Sequence, residues 1–137
     1  MDRIIGGVFS DVEMTERAIK HLTDIGYSSK DISVLTKDKE NVNKVKNDTG
    51  AITLSGIAIS ASGQQGITLS GTGMRTGISK AQAKQYEQYL KDGKNIVLVE
   101  AGDDNEQIIY RVFLSNKTEN TEMYPEEVVN AQNRENF

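Results

Sequence analysis

The chain has 137 residues, of which 36% are hydrophobic and 26% are charged, and its formal net charge is -4. This length and composition suffice for one domain with a hydrophobic core, and the negative charge argues against a nucleic-acid binder that relies on phosphate contacts. The absence of cysteine excludes disulfides, cysteine nucleophiles and cysteine-ligated zinc.

Membrane and export signals are not expected either. No stretch approaches the ~20 continuous apolar residues that span a bilayer. The apolar run at residues 4–9 is too short for a signal-peptide core and is flanked by Asp2 and Asp11. We therefore expect a soluble, cytoplasmic protein with neither a membrane nor a nucleic acid as its partner.

The first predicted element is a strand at residues 3–9, with the sequence RIIGGVF. Gly6 and Gly7 weaken an isolated strand because glycine has no side chain to pack. They indicate either a bulge or a place where a helix packs closely against the backbone.

A helix is predicted to follow directly. Ser10 and Glu13 form the pattern of a capping box, and Gly26 is typical of a left-handed C-terminal stop. The next strand is predicted at residues 31–37. The apolar residues of the helix recur at helical spacing, which predicts one buried face: Val12, Ala18, Ile19, Leu22 and Ile25.

The middle of the chain is polar and rich in glycine, serine and threonine. Residues 38–50 predict a short surface helix or a loop. The word ITLSG occurs at residues 52–56 and again at 67–71, within an insert at about residues 51–77. Two interpretations of the insert stay open, namely two antiparallel strands joined by a glycine-containing turn, or one strand followed by a Ser/Gly-rich loop.

A second capped helix and a fully apolar strand follow the insert. Ser79 and Gln82 form a capping box, and Gly93 is the second glycine stop. Residues 96–99, IVLV, are apolar on both faces, which predicts a strand that is covered above and below. With two helices on one face, either a further helix from Asp104 to about Ser115 or a second copy of the chain must cover the other. The buried stripe predicted for that further helix contains Ile108, Ile109, Val112 and Phe113.

These elements predict one small α+β domain over residues 1–116. Residues 117–137 are polar and predict a largely disordered tail. Within the tail, Pro125 favours the start of a short helix that carries Val128 and Val129, and such a helix would be marginal unless it docked.

Three ordered motifs resemble the bacterial general stress protein family that is built on the heat-induced stress protein YflT-like domain. They are the first strand with a helix ending in Gly26 and Tyr27, DISVLTKDKENVNKVKNDTG at residues 31–50, and GISKAQAKQYEQYLKDGKNIVLV at residues 77–99. The resemblance covers about residues 3–101.

This resemblance implies a fold and a setting. The implied fold is a ferredoxin-like α/β sandwich of split βαβ units, with a roughly four-stranded sheet and two main helices on one face, here followed by a C-terminal helix. The implied setting is the cytoplasm of a Gram-positive bacterium, where the protein is made under stress. The family offers no assigned enzyme activity and no catalytic residues to transfer.

The ionisable residues give no catalytic or metal site. The single histidine, His21, supports neither a histidine metal site nor a Ser-His-Asp triad. Asp103, Asp104 and Glu106 resemble a hard-cation site or an acid/base pair, but their position at a helix start favours capping. We therefore expect no catalytic residues, no metal and no cofactor.

One segment is a candidate anion-binding site. Gly71, Gly73 and Gly77 surround Arg75 and lead into the helix capped by Ser79. Amide groups at a helix N-terminus, flexible glycines and an arginine can together hold an anion. The spacing matches neither common phosphate-binding loop, so a flexible connector is the competing interpretation.

Two functional hypotheses follow from these observations. The leading hypothesis is a non-enzymatic general stress-response protein that acts by protein association, with a homodimer as the simplest assembly. The doubly apolar strand at residues 96–99, the lack of a catalytic constellation and the family resemblance support it. The alternative is a regulatory module that binds a small molecule or an anion through the loop at residues 71–77.

Overall fold

The computed structural model describes residues 3–37, 39–55, 59–62, 66–69, 78–102 and 104–135. Short 3-10 turns lie at Ser29–Asp31 and Thr121–Met123. In chain order the strands and α-helices are β1 (Arg3–Phe9), α1 (Val12–Asp24), β2 (Ile32–Thr36), α2 (Lys39–Thr49), β3 (Ile52–Ser55), β4 (Ile59–Ser62), β5 (Gly66–Leu69), α3 (Lys80–Lys91), β6 (Asn95–Ala101), α4 (Glu106–Ser115) and α5 (Glu126–Glu135).

The main sheet has the strand order β1-β6-β2-β3. β6 pairs antiparallel with both β1 and β2, while β3 joins the far side parallel to β2. β6 therefore lies in the interior of the sheet, and β1 forms one of its edges. An interior strand with helices above and below has no solvated face, which accounts for the apolar run at residues 96–99.

Helices cover both faces of this sheet. α1 and α4 pack against the face that carries Val97 and Val99, and α3 packs against the face that carries Ile96 and Leu98. All four of these β6 side chains are buried, which confirms the predicted two-sided cover. The α+β class is confirmed as well.

The ferredoxin-like sandwich is not confirmed. Sequence analysis places the first and second main helices on one face, whereas α1 and α3 lie on opposite faces. The apolar stripes of α1 and α4 together fill one face, so that α3 buries its own stripe on the other.

Gly6 and Gly7 allow two helices to approach β1. Successive residues of a strand point to opposite faces, and an aromatic ring occupies the space above each glycine. A Cβ atom on Gly6 would lie 2.7 Å from Cζ of Tyr86 in α3, and one on Gly7 would lie 2.6 Å from Cδ1 of Phe113 in α4. The interpretation of close helix packing is therefore confirmed.

The start of α1 differs from the prediction. The helix begins one residue later than expected, so Asp11 occupies the N-cap and its carboxylate accepts a hydrogen bond of 2.7 Å from the Met14 N–H. The predicted capping box of Ser10 and Glu13 is wrong, because Ser10 lies outside the cap position.

The other helix boundaries follow the sequence signals. The capping box of Ser79 and Gln82 is present at α3. Gly26 and Gly93 have φ values of +115° and +84° and end α1 and α3 in the left-handed conformation. These local signals are strong enough to predict the ends of both helices.

The middle of the chain forms one helix and three strands within its described residues. α2 is a helix, and its Val45 is buried in the core. β4 and β5 form a separate antiparallel pair, whereas β3, which contains residues 52–55 of the first ITLSG copy, joins the main sheet. The insert thus contains an antiparallel pair, although the two ITLSG copies are not paired with each other.

Residues 118–124 lie along the outer edge of β1, and we call them the edge-covering segment. The Val8 N–H donates to Thr118 Oγ1 (2.8 Å), and the Glu119 N–H donates to the Val8 carbonyl oxygen (2.9 Å). Asn120 Nδ2 and the Tyr124 hydroxyl both donate to the Gly6 carbonyl oxygen, at 2.9 Å and 2.7 Å. The Gly6 carbonyl and the N–H and carbonyl of Val8, which an open edge strand would leave unpaired, are thereby satisfied.

This order differs from the largely disordered tail expected from the sequence. Thr118 and Asn120, polar residues of the edge-covering segment, are buried where their side chains bond to β1, so this part of the chain is held in place. α5 follows Pro125, and its Val128 and Val129 pack against the core, which supplies the docking that so short a helix requires.

Candidate functional site

The predicted anion-binding segment is only partly described. Gly71, Gly73, Arg75 and Gly77 lie outside the described residues. Ser79 caps α3 through its hydroxyl oxygen, which accepts from the Gln82 N–H at 3.1 Å. Binding of an anion at this segment stays a prediction.

Of the ionisable residues singled out from the sequence, His21 and Asp104 are exposed, Glu106 is partly exposed and Asp103 lies outside the described residues. His21 is exposed near the end of α1, with Nδ1 3.4 Å from Asn116 Nδ2. The predicted Asp104 cap is wrong, because α4 begins at Glu106 with Asn105 as its N-cap. Among the described residues, no group of three or more His, Asp or Glu side chains is arranged to hold a metal ion.

An apolar groove lies between the end of α1 and the start of α4. Its volume is about 380 Å³, and it is lined by Ile25, Gly26, Tyr27, Asn105 and Ile108. Ile25 is 43% exposed and Ile108 is 48% exposed, and no other large apolar side chain is exposed among the residues whose side chains are described, which leave out β3, β4 and β5. Burial raises the pKa of Tyr27, so its hydroxyl stays neutral.

Both isoleucines were predicted to be buried, and for both the prediction is wrong. Ile25 is the C-cap residue of α1, beyond the last helical turn that faces the sheet. Ile108 lies outside the face of α4 that packs on the core. That face carries Ile109, Val112 and Phe113. Helical periodicity alone misses this groove, because it assigns every apolar residue near the stripe to the core.

A charged cluster joins α1 to α2. Lys44 Nζ lies 3.6 Å from Glu16 Oε1 and 3.0 Å from Asp48 Oδ2. Burial, followed by the neighbouring Asp48 carboxyl, raises the pKa of Glu16. Hydrogen bonds from Glu16 and Lys44 lower the pKa of Asp48. The cluster therefore links the two helices. The raised pKa of Glu16 means that keeping its carboxylate ionised costs free energy in the folded state.

Replacing Glu16 with glutamine is expected to stabilise the protein at pH 7 by roughly 0.5 kcal/mol, the scale of surface charge pairs. The native state raises the pKa of Glu16 above its ordinary 4.5, so ionisation opposes folding, and this cost is absent below about pH 4. Urea titrations at pH 7 and pH 4 should show the gain only at pH 7. Glu13→Gln is the matched control, because Glu13 is exposed and pairs with Arg17 at 3.3 Å; an equal gain there would contradict the prediction.

A third concave site, the tyrosine pocket, lies beside the outer edge of β1. Its volume is about 220 Å³, and α3, α4 and the edge-covering segment surround it. Tyr86 is 2% exposed and Tyr124 is 8% exposed, and the ring centroids of Tyr110 and Tyr124 are 4.8 Å apart. The residues that define the pocket are Gly6, Gln82, Tyr86, Tyr110, Met123 and Tyr124.

Two hydroxyls of the tyrosine pocket, those of Tyr86 and Tyr124, stay neutral. Burial raises the pKa of Tyr86 and that of Tyr124 well above the ordinary value. The end of the Tyr86 ring lies over Gly6, and the Tyr124 hydroxyl donates to the Gly6 carbonyl oxygen. The burial of Tyr86 can be predicted from the sequence, because helical spacing places it on one face of α3 with Ala83 and Leu90. The burial of Tyr124 cannot, because a single tyrosine in a polar tail carries no periodic signal.

Comparison with known proteins gives one match. A family model described as the heat induced stress protein YflT domain matches residues 4–93. Neither the curated proteins nor the solved structures contain a match to the chain. The matched range includes Ile25 and Tyr27 of the apolar groove but ends before α4 and the edge-covering segment. Across the described residues, every helix is too short or too polar to cross a bilayer.

Proposed function

The chain belongs to the heat induced stress protein YflT domain family, and we propose that it serves the general stress response without enzymatic activity, by associating with a second copy of itself in the cytoplasm. Family membership suggests the stress-response role. The apolar groove supports association as the way in which the protein acts.

The observation that carries the proposal is the exposure of two isoleucines in one groove. Single exposed apolar residues are normal on a protein surface, but two that line one concavity indicate a contact surface. They come from different elements, Ile25 from the end of α1 and Ile108 from α4. The strand at residues 96–99 no longer supports self-association, because helices of the same chain cover both of its faces.

A second copy suits this groove because the contact would be self-complementary. Around a two-fold axis, Ile25 of one copy meets Ile108 of the other, and the same pair forms again on the other side of the axis. Five residues line the groove, far fewer than the ~20–30 residues that each partner contributes to a standard stable interface. We therefore expect a weak dimer, with a dissociation constant above about 10 µM.

Replacing Ile108 with glutamate is expected to abolish the dimer, because the contact would have to bury an unpaired carboxylate. Sedimentation velocity from about 10 µM to about 1 mM should show concentration-dependent dimerisation of the wild type and a monomeric variant. Gln107→Glu is the matched control, because it adds the same charge at a neighbouring exposed position outside the groove. A wild type that stays monomeric throughout would refute the proposal.

A charge swap tests the geometry of the contact. Ile25→Lys and Ile108→Glu should each be monomeric alone, and a mixture of the two should recover association if Ile25 faces Ile108 of the partner subunit. Recovery places the two positions opposite each other, whereas a mixture that stays monomeric contradicts the two-fold arrangement.

A further inference from the structure

The tyrosine pocket presents two hydrogen-bond donors that the described residues leave available. Gln82 Oε1 accepts from the Ser79 N–H at 3.3 Å and from the Ser79 hydroxyl at 3.4 Å, so the Gln82 amide nitrogen remains to donate. The Tyr86 hydroxyl lies over Gly6, where a Cβ would come within 2.7 Å of Tyr86 Cζ, and none of the described residues accepts a hydrogen bond from its O–H. Both residues line the pocket. Two donors in the lining of one pocket favour a ligand with a strong acceptor oxygen.

The lining of the pocket selects against charged ligands. Its described lining contains tyrosines, a glutamine and apolar residues, with no Asp, Glu, Lys, Arg or His. An ion that entered would lose its hydration without gaining a counter-charge, which is costly. A carbonyl oxygen of an uncharged molecule can use the same donors without this cost, and carboxamides are the strongest acceptors of this kind.

The volume and the remaining walls limit the size and shape of the ligand. The pocket measures about 220 Å³, and an engineered apolar cavity of about 150 Å³ holds one benzene molecule. A six-membered ring with one amide group is therefore of suitable size. Met123, Pro125 and the Tyr110–Tyr124 ring pair provide an apolar and aromatic environment for the ring.

We propose that the tyrosine pocket binds a small uncharged aromatic amide, with its carbonyl oxygen on the Tyr86 hydroxyl and the Gln82 amide. The ring lies against Met123 and the Tyr110–Tyr124 pair. The tyrosine pocket shares no residue with the apolar groove, so ligand binding and self-association can be tested independently.

The test uses benzamide and two probes of similar shape. Benzoate replaces the uncharged amide with a carboxylate, and toluene retains the ring without an acceptor. With a dissociation constant of about 1 mM, benzamide at about 10 mM should raise the Tm by about 3 °C and give saturation-transfer NMR signals. Benzoate and toluene should bind at least ten times more weakly. Equal binding of the three probes, or no binding of benzamide, would overturn the proposal.

Two variants and one control locate the binding. Tyr86→Phe removes a proposed donor but keeps the ring, so benzamide binding should fall about tenfold, the effect of about one lost hydrogen bond. Tyr89→Phe is the matched control on the same helix, and it should leave binding unchanged because Tyr89 does not line the pocket.

Met123→Trp fills the pocket without removing a donor and should abolish binding. It keeps the proposal falsifiable even if Tyr86→Phe unfolds the protein. Circular dichroism establishes that each variant is folded before titration. Undiminished binding to folded Met123→Trp would place benzamide elsewhere on the protein and refute the assignment.

Discussion

Replacing Gly7 with alanine is expected to destabilise the protein by about 1–3 kcal/mol, the usual cost of overpacking a core. The new Cβ would lie 2.6 Å from Phe113 Cδ1 and 2.7 Å from its Cγ, well inside van der Waals contact. Phe113 is fully buried, and its ring centroid lies 6.0 Å from that of Phe9, so it has little room to move away. Urea denaturation of the wild type and the variant measures the loss.

A double-mutant cycle identifies the cause of that loss. Phe113→Leu removes the aromatic ring that the new methyl group would meet, so Gly7→Ala should cost less in the Phe113→Leu background than in the wild type. The difference between the two costs is the steric contribution of the ring. Equal costs in both backgrounds would contradict the close-packing explanation and assign the effect to the backbone.

Replacing Asn120 with aspartate is expected to cost about 3–5 kcal/mol at pH 7, because an ionised and unpaired carboxylate would be buried. Asn120 is 0% exposed, and its Nδ2 donates to the Gly6 carbonyl oxygen at 2.9 Å. Aspartate of the same shape would place a negative oxygen opposite that carbonyl. Its Oδ1 would keep only the hydrogen bond of 2.6 Å from the Thr118 hydroxyl.

The loss of stability caused by Asn120→Asp should increase as the pH rises. Burial and the neighbouring Gly6 carbonyl oxygen raise the pKa of the new aspartate above its unfolded value of about 3.9. The destabilisation is therefore absent below about pH 4 and appears as the pH rises toward and through the pKa of the folded state. Urea titrations from about pH 4 to pH 7 measure it. Asn43→Asp, at an exposed position of α2, is the control and should lack this dependence. A pH-independent loss at Asn120 would count against the charge as its cause.

Local signals in the sequence predict much of the fold. Ser79 with Gln82 and the two glycine stops depend only on neighbouring residues, and their geometry follows from backbone sterics. The doubly apolar run at residues 96–99 likewise predicts an interior strand without knowledge of its partners. The face on which a helix packs is not local, which is why the relative positions of α1 and α3 could not be predicted.

The candidate sites lie where local rules fail. Ile25 and Ile108 continue an apolar periodicity and yet remain exposed. Ile25 lies just beyond the end of α1, and Ile108 lies on α4 outside its buried face. Asn120 and Tyr124 look like tail residues, and their bonds to Gly6 join positions 114 and 118 residues apart. Only the folded chain brings such positions together, so a single sequence without homologues offers no pattern from which to infer them.

The outer edge of β1 stays uncovered during most of the synthesis of the chain. A ribosome makes β1 first, yet the residues that satisfy its outer carbonyl and amide groups emerge more than a hundred positions later. No nascent chain that stops before Tyr124 can complete this edge, so the last step of maturation must follow translation of the whole domain. Until then the newborn strand is open to pairing with neighbouring polypeptides, which is when binding by cellular chaperones would protect it most.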